Sequence, residues 1–207
     1  MATLRGLDRG EPAVLVLAEV QRRTLETAFS TGAIAAQAEQ RGIAARIDAL
    51  ARLCRSVGVP VIHVHKTTRP DHGGNFNNCL LHVASNRRPL PENLELALSS
   101  PVEVAATDYL IQRVHGISCF HNTELESIML YYEAKTLILV GVSTDMNLPA
   151  TSVEAVSRGL HVVLPEDCTA GSSPEVQAFQ LANMLKLLTT ITDSATVTKV
   201  LEARRGA

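Results

Sequence analysis

The chain has 207 residues, 46% of them hydrophobic but only 3% aromatic, and it contains no tryptophan. Such a core must be built from Leu, Val, Ile and Ala, the composition of a buried parallel sheet covered by helices. Nineteen basic residues face 21 acidic ones with no long run of either sign, which excludes a nucleic-acid footprint, and no apolar stretch reaches the ~20 residues that span a bilayer.

The four cysteines, Cys54, Cys79, Cys119 and Cys168, show no CxxC spacing. They read as packed thiols of a reduced intracellular protein. The first ten residues are polar and charged, so no secretory leader is expected, and a soluble, cytoplasmic protein follows.

Ala13 to Ala18 is a continuous apolar run stopped by Glu19, as in a central strand with a carboxylate at its end. Gly32 to Val57 carries an amphipathic helical pattern. Gly58 then turns the chain into a second strand ending in the alternating pair His63 and His65. Residues 66–101 hold several prolines, Gly73-Gly74, and Asn75, Asn77 and Asn78. An irregular stretch that long is usually a functional loop or an oligomer contact. Its glycine pair lacks the spacing of a phosphate loop.

Tyr109 to Arg113 predicts a third strand, and 123–134 a helix capped by Asn122 or Thr123. Thr136 to Val140 reads as a fourth strand, followed by a tight turn at Gly141. The next helix, 149–158, ends at Gly159. His161 to Pro165 is a fifth strand, Glu175 to Leu188 a further helix, and Arg204-Arg205 a solvated tail. This alternation predicts a doubly wound α/β fold: a mostly parallel sheet of five or six strands, helices on both faces, one domain over 1–207. In such sheets ligands bind beyond the strand C-termini where strand order reverses. Glu19, Arg113 with His115, and Asn147 all fall there.

Glu19-x-Gln21, Gly58-Val-Pro-Val-Ile-His63, Ser118-x-Phe120 with Thr123-x-Leu125, Gly141-Val-x-Thr144 and Ala155-x-x-x-Gly159 occur in one order and spacing. In this the chain resembles the isochorismatase-like (cysteine hydrolase) family, from about Ala13 to Leu201. The resemblance implies a Rossmann-like three-layer hydrolase fold and a cis peptide between Val142 and Ser143. It also implies an Asp–Lys–Cys triad, from which this sequence departs at every member. The carboxylate is Glu19, one methylene longer. The lysine position falls on Val114 by spacing, or on Arg113 with a one-residue insertion. The cysteine position is Asn147, whose amide is no acyl-transfer nucleophile.

Cys-free isochorismatases cleave a vinyl ether by protonation from the strand-one carboxylic acid, after which water captures the oxocarbenium ion. By that resemblance, Glu19 is the expected acid/base and Arg113 an anion clamp, with Asn147 the third member of the centre. His115, Ser143, Gln21, Asn78 and Cys119 are the expected substrate contacts. His63, His65, Asp71 and His72 do not reproduce the metal-binding order of nicotinamidases, so neither metal nor cofactor is expected. The expected partner is a small polar or anionic metabolite, and the apolar C-terminal helices predict a homo-dimer or tetramer. Two alternatives remain open: a degenerate pseudoenzyme that binds a ligand or partner, and an amidohydrolase using Cys119.

Overall fold

A computed structural model of the protein describes residues 4–204. Seven strands form one sheet: β1 (Ala13–Ala18), β2 (Val61–Lys66), β3 (Tyr109–Arg113), β4 (Thr136–Val142), β5 (His161–Pro165), β6 (Thr169–Ala170) and β7 (Thr190–Thr192). The order is β3-β2-β1-β4-β5-β7, with β6 paired to β4, and every pairing is parallel. The expected five or six strands become seven because β6 and β7, at two and three residues, are too short to leave a periodic signature.

The helices are α1 (Arg22–Leu25), α2 (Ala33–Arg41), α3 (Ile43–Ser56), α4 (Leu80–Asn86), α5 (Leu94–Leu98), α6 (Leu125–Tyr131), α7 (Asn147–Ser157), α8 (Pro174–Ala182), α9 (Met184–Leu188) and α10 (Ser194–Ala203). The single helix expected from Gly32 to Val57 is two, because Gly42 takes a left-handed φ of +62° and closes α2 before α3 begins. The predicted helix to Leu188 likewise breaks at Asn183. The 66–101 stretch is less irregular than expected, since it holds α4 and α5. Arg204 is no solvated tail: its guanidinium donates to the carbonyls of Leu7 and Glu11, while Arg205 lies outside the described residues.

Alternation along β1 splits the core into two layers. Leu15 and Leu17 pack with Ile43, Ile47 and Leu50 of α3 and Leu201 of α10. Val14, Val16 and Ala18 pack with Leu125 and Met129 of α6 and Leu148 of α7 on the other face. Gly141 is required where β4 meets β1, because a Cβ there would lie 2.3 Å from the Ala18 carbonyl oxygen. Among the described residues, no helix is long and apolar enough to cross a membrane.

A buried polar network lies on the α3 side of β2. Asp108 accepts from His63 Nε2 at 3.1 Å, from Arg55 Nη2 at 2.7 Å and from the Ala105 N–H at 2.9 Å. His63 Nδ1 and His65 Nε2 have no partner among the described residues. Burial, then neighbouring His63, pushes the His65 imidazole down to about 4, and burial also lowers His63 against the opposing pull of Asp108. Both rings therefore favour the neutral form in the fold and protonate more readily in the unfolded chain. The stability they confer is full above the ordinary histidine value of 6.5 and is lost as pH falls through the folded value. Over the His65 window this amounts to ~3 kcal/mol. Urea unfolding at pH 4.5 is expected to show ~2–3 kcal/mol less stability than at pH 7, with most of the difference gone in His65→Gln. An unchanged midpoint and slope between these pH values would contradict the assignment.

Candidate active site

Strand order reverses at β1: β2 and β3 lie on one side of it and β4 on the other. The crevice at such a point is where a doubly wound sheet receives ligands. Glu19 follows β1, Lys66 ends β2, Arg113 ends β3 and Asn147 opens α7 after β4. All four therefore emerge at one rim.

Alternation alone would send the Glu19 side chain to the α3 face, opposite Ala18. Its φ of +51° reverses that, turning the carboxylate toward the α7 layer. A non-glycine residue in this region costs about 1–2 kcal/mol, offset here by local bonds. The Glu19 N–H donates to the Val64 carbonyl at 2.9 Å, and the Glu19 carbonyl accepts from the Gln21 N–H at 2.9 Å and from the Thr24 hydroxyl.

Arg113 is 1% exposed and forms an ion pair with Glu19 Oε1. Its other terminal nitrogen donates to the carbonyls of Gly116 and His115. Val114 instead is 39% exposed and lines the neighbouring cavity of the rim, so that of the two residues it is Arg113 that faces the carboxylate.

Asn147 Nδ2 donates to the same Glu19 Oε1 at 3.1 Å. Its Oδ1 accepts from the Thr151 hydroxyl at 2.9 Å and from the Cys119 thiol at 3.4 Å. Two donors on one side and a carboxylate on the other fix the amide orientation. Glu19 Oε1 thus holds two donors, whereas Oε2 makes no hydrogen bond within the described residues, and the side chain is 18% exposed. One carboxylate oxygen is anchored, and the other has no bond within the described residues on a side chain that water still reaches.

The other expected substrate contacts lie at different depths in the fold. Cys119 is fully buried, and burial pushes its thiol up to about 11. It is a neutral donor inside the core, because no cation outweighs its desolvation. Gln21 is also fully buried. Its amide clasps the Lys66 backbone, accepting from the N–H at 2.9 Å and donating to the carbonyl at 3.2 Å, and it donates to the Leu98 carbonyl at 2.8 Å. It braces the rim and does not face the crevice. Asn78 is exposed and its Oδ1 lies 2.7 Å from His82 Nδ1, one shell outside. Ser143 is mostly buried, and its carbonyl accepts from the Leu148 N–H at 3.0 Å at the start of α7. The bond between Val142 and Ser143 is cis, as the resemblance implied.

His115 does line a small cavity at this rim, with Lys66, Asn75, Phe76, His82 and Gly116. Its ring centroid lies 4.2 Å from that of Phe76 and 4.7 Å from that of His82. Burial and the charges of Lys66 and Arg113 hold His82 below the usual histidine range. Burial lowers His115 too, with His82, His121, Arg113 and Lys66 adding to it. Beside this cavity, a recess of about 520 Å³ opens between Asp71, His72, Asn75, Asn77 and Arg87.

Lys66 is the residue that sequence reasoning passed over. Burial pushes its ammonium below the usual lysine value, Glu19 opposes this, and Arg113, Arg23 and Arg88 push it further down. The signal was present, because a charged residue ends the apolar strand β2 just as Glu19 ends β1. Among the described residues, no group of three or more His, Cys, Asp or Glu side chains is arranged to hold a metal ion.

The isochorismatase domain matches residues 13–196. The chain is 29% identical over 133 residues to the isochorismatase family protein YecD of Escherichia coli O157:H7, covering 63% of this chain and 68% of that one. It is 27% identical over 135 residues to Nicotinamidase 3 of Arabidopsis thaliana, covering 64% and 66%. The match spans about half to two thirds of the length of the curated relatives. A cysteine hydrolase from Pseudomonas syringae pv. phaseolicola 1448A shares the fold, with a TM-score of 0.79 at 20% identity over 93% of each chain. A match across most of the chain, on this parallel sheet, makes the protein a member of the isochorismatase family.

Proposed function

We infer that the protein is a hydrolase of a small polar or anionic metabolite, working through the Glu19 carboxyl and not through a thiol nucleophile. The observation that carries this reading is the asymmetry of Glu19: Oε1 is fixed by Arg113 and Asn147, while Oε2 makes no hydrogen bond within the described residues. A carboxyl held at one oxygen and free at the other can give a proton to a leaving oxygen or take one from water. Arg113 fixes the orientation and Asn147 prevents rotation. His115 and His82 border the reacting space. Function as a homo-oligomer belongs to the same reading, since Leu130, Tyr131, Phe179 and Leu187 leave large apolar side chains exposed.

The test is turnover. Small vinyl ethers, esters and carboxamides, each bearing a carboxylate, are assayed from pH 5 to 9. The reading expects one class to be hydrolysed with a pH limb that disappears in Glu19→Gln. No turnover in any class would favour instead a binding-only protein, the reading supported by the ion pair that already occupies one Glu19 oxygen.

Restoring the thiol should not restore an amidohydrolase. Asn147→Cys places a thiol beside Glu19, but Arg113 does not shuttle a proton to a leaving amine as a lysine does. Residues that act as a unit are strongly non-additive, so the single variant is expected to reach no more than ~1% of the carboxamide rate of Asn147→Cys with Glu19→Asp and Arg113→Lys. Equal rates for the two would show a site still poised for thiol chemistry.

A further inference from the structure

Thr151 lies one helical turn after Asn147 in α7 and therefore on the same face of the helix. A serine or threonine inside a helix commonly returns its hydroxyl to the backbone carbonyl one turn back. Ser152 and Ser157 do so in this helix, donating to the carbonyls of Leu148 and Val153 at 2.7 Å each. Thr151 does not. Its hydroxyl donates to the side-chain Oδ1 of Asn147 at 2.9 Å, while the same oxygen accepts from the Cys119 N–H at 2.9 Å. Thr151 and Cys119 are both fully buried, so no water competes for either bond.

These bonds run in one direction. The Cys119 N–H occupies the acceptor side of the Thr151 oxygen, so the single hydroxyl proton is sent to Asn147. The end of the amide that receives this proton must be its oxygen. Its other end, Nδ2, then faces Glu19 Oε1, to which it donates at 3.1 Å. Rotated half a turn, the amide would lose the hydroxyl proton and set its own oxygen against Glu19 Oε1, two acceptors facing each other. The Cys119 thiol also donates to Asn147 Oδ1, but at 3.4 Å and as a weak donor, so the hydroxyl decides the orientation.

We propose that Thr151 is a positioning residue for the reaction: through Asn147 it keeps a donor, and not a lone pair, against Glu19 Oε1, and so leaves proton exchange to Oε2. Arg113 anchors the same Oε1 from the β3 side, and Thr151 secures the anchor from the α7 side. Without the hydroxyl the amide is free to rotate, and the rotated amide is compatible only with a protonated Glu19, because its oxygen repels a carboxylate. The proposal rests on Glu19 being the acid/base, but its first test needs no turnover.

Asparagine-selective nitrogen labelling makes the Asn147 side-chain amide visible by NMR in the intact protein, and Asn147→Asp identifies it by its loss. Its protons are expected to shift on Glu19→Gln, because a charge-assisted bond becomes a neutral one. Thr151→Val should lose most of that response, and Thr151→Ser, which restores the hydroxyl, should keep it. Thr151→Val leaves the buried Cys119 N–H unpaired, so Thr151→Cys is measured beside it: the thiol fills the site but donates only weakly, and it should fall short in the same way. Thermal melts establish that each variant folds. On a substrate that the wild type turns over, Thr151→Val is expected to lower kcat about tenfold with KM little changed. The pH limb should move up by about one unit, and Thr151→Ser should reverse both changes. Loss of the amide response in Thr151→Val with no turnover of any substrate would overturn the catalytic reading alone. An unchanged response in folded Thr151→Val and Thr151→Cys overturns the positioning role, whatever the activity.

Discussion

Arg113→Met is expected to cost about 3 kcal/mol or more of folding stability, because it leaves the partly buried Glu19 carboxylate without its cation. The arginine is 1% exposed and the Glu19 side chain 18%, so water can only partly replace the lost partner. The same substitution frees the Gly116 carbonyl, which accepts from Arg113. The double variant Arg113→Met with Glu19→Gln should recover a substantial part of the loss, since a neutral amide needs no counter-ion. Urea denaturation of the four proteins in the cycle measures the coupling. A loss under about 1 kcal/mol for Arg113→Met would mean the pair behaves as a surface ion pair. The carboxylate would then not be held in the way the geometry indicates.

Glu19→Gln is expected to lower kcat about a thousandfold, in the middle of the range for loss of a positioned acid or base. The amide still accepts from Arg113 and Asn147 through its oxygen, so the fold and the shape of the crevice should persist. What disappears is the ability of the open atom to exchange a proton. The expected signature is a fall in kcat and kcat/KM together, with KM little changed, as for an interaction made only in the transition state. A rise in KM alone would make Glu19 a binding group.

The sheet was legible because apolar runs such as Ala13–Ala18 and Thr136–Val140 are long and bounded by turn residues. Two features hid the rest of the fold. Gly42 interrupts what looks like one amphipathic helix, and only its left-handed φ shows the break. Strands of two and three residues, β6 and β7, carry no period to detect. At the site, Glu19, Arg113 and Asn147 could be picked out because strand ends in this fold converge. Which of Arg113 and Val114 turned inward could not, since the answer depends on the pleat of β3, where Ile111 and Arg113 share the buried face. The burial of Gln21 and Cys119 was hidden for a related reason. Both lie close to the site in sequence, yet burial turns one into a brace and the other into a core thiol. Lys66 was missed because the strand was read as ending at His65, one residue short of its charged terminus.

The central claim is that a carboxyl and not a thiol does the chemistry, and one paired rate measurement tests it. On whichever substrate the wild-type protein turns over, Cys119→Ala and Glu19→Gln are compared under identical conditions, after both are shown to melt cooperatively. The buried, neutral Cys119 should be dispensable, so its variant is expected within about threefold of wild type while Glu19→Gln falls about a thousandfold. The reverse order, with Cys119→Ala inactive and Glu19→Gln near wild type, would contradict the account.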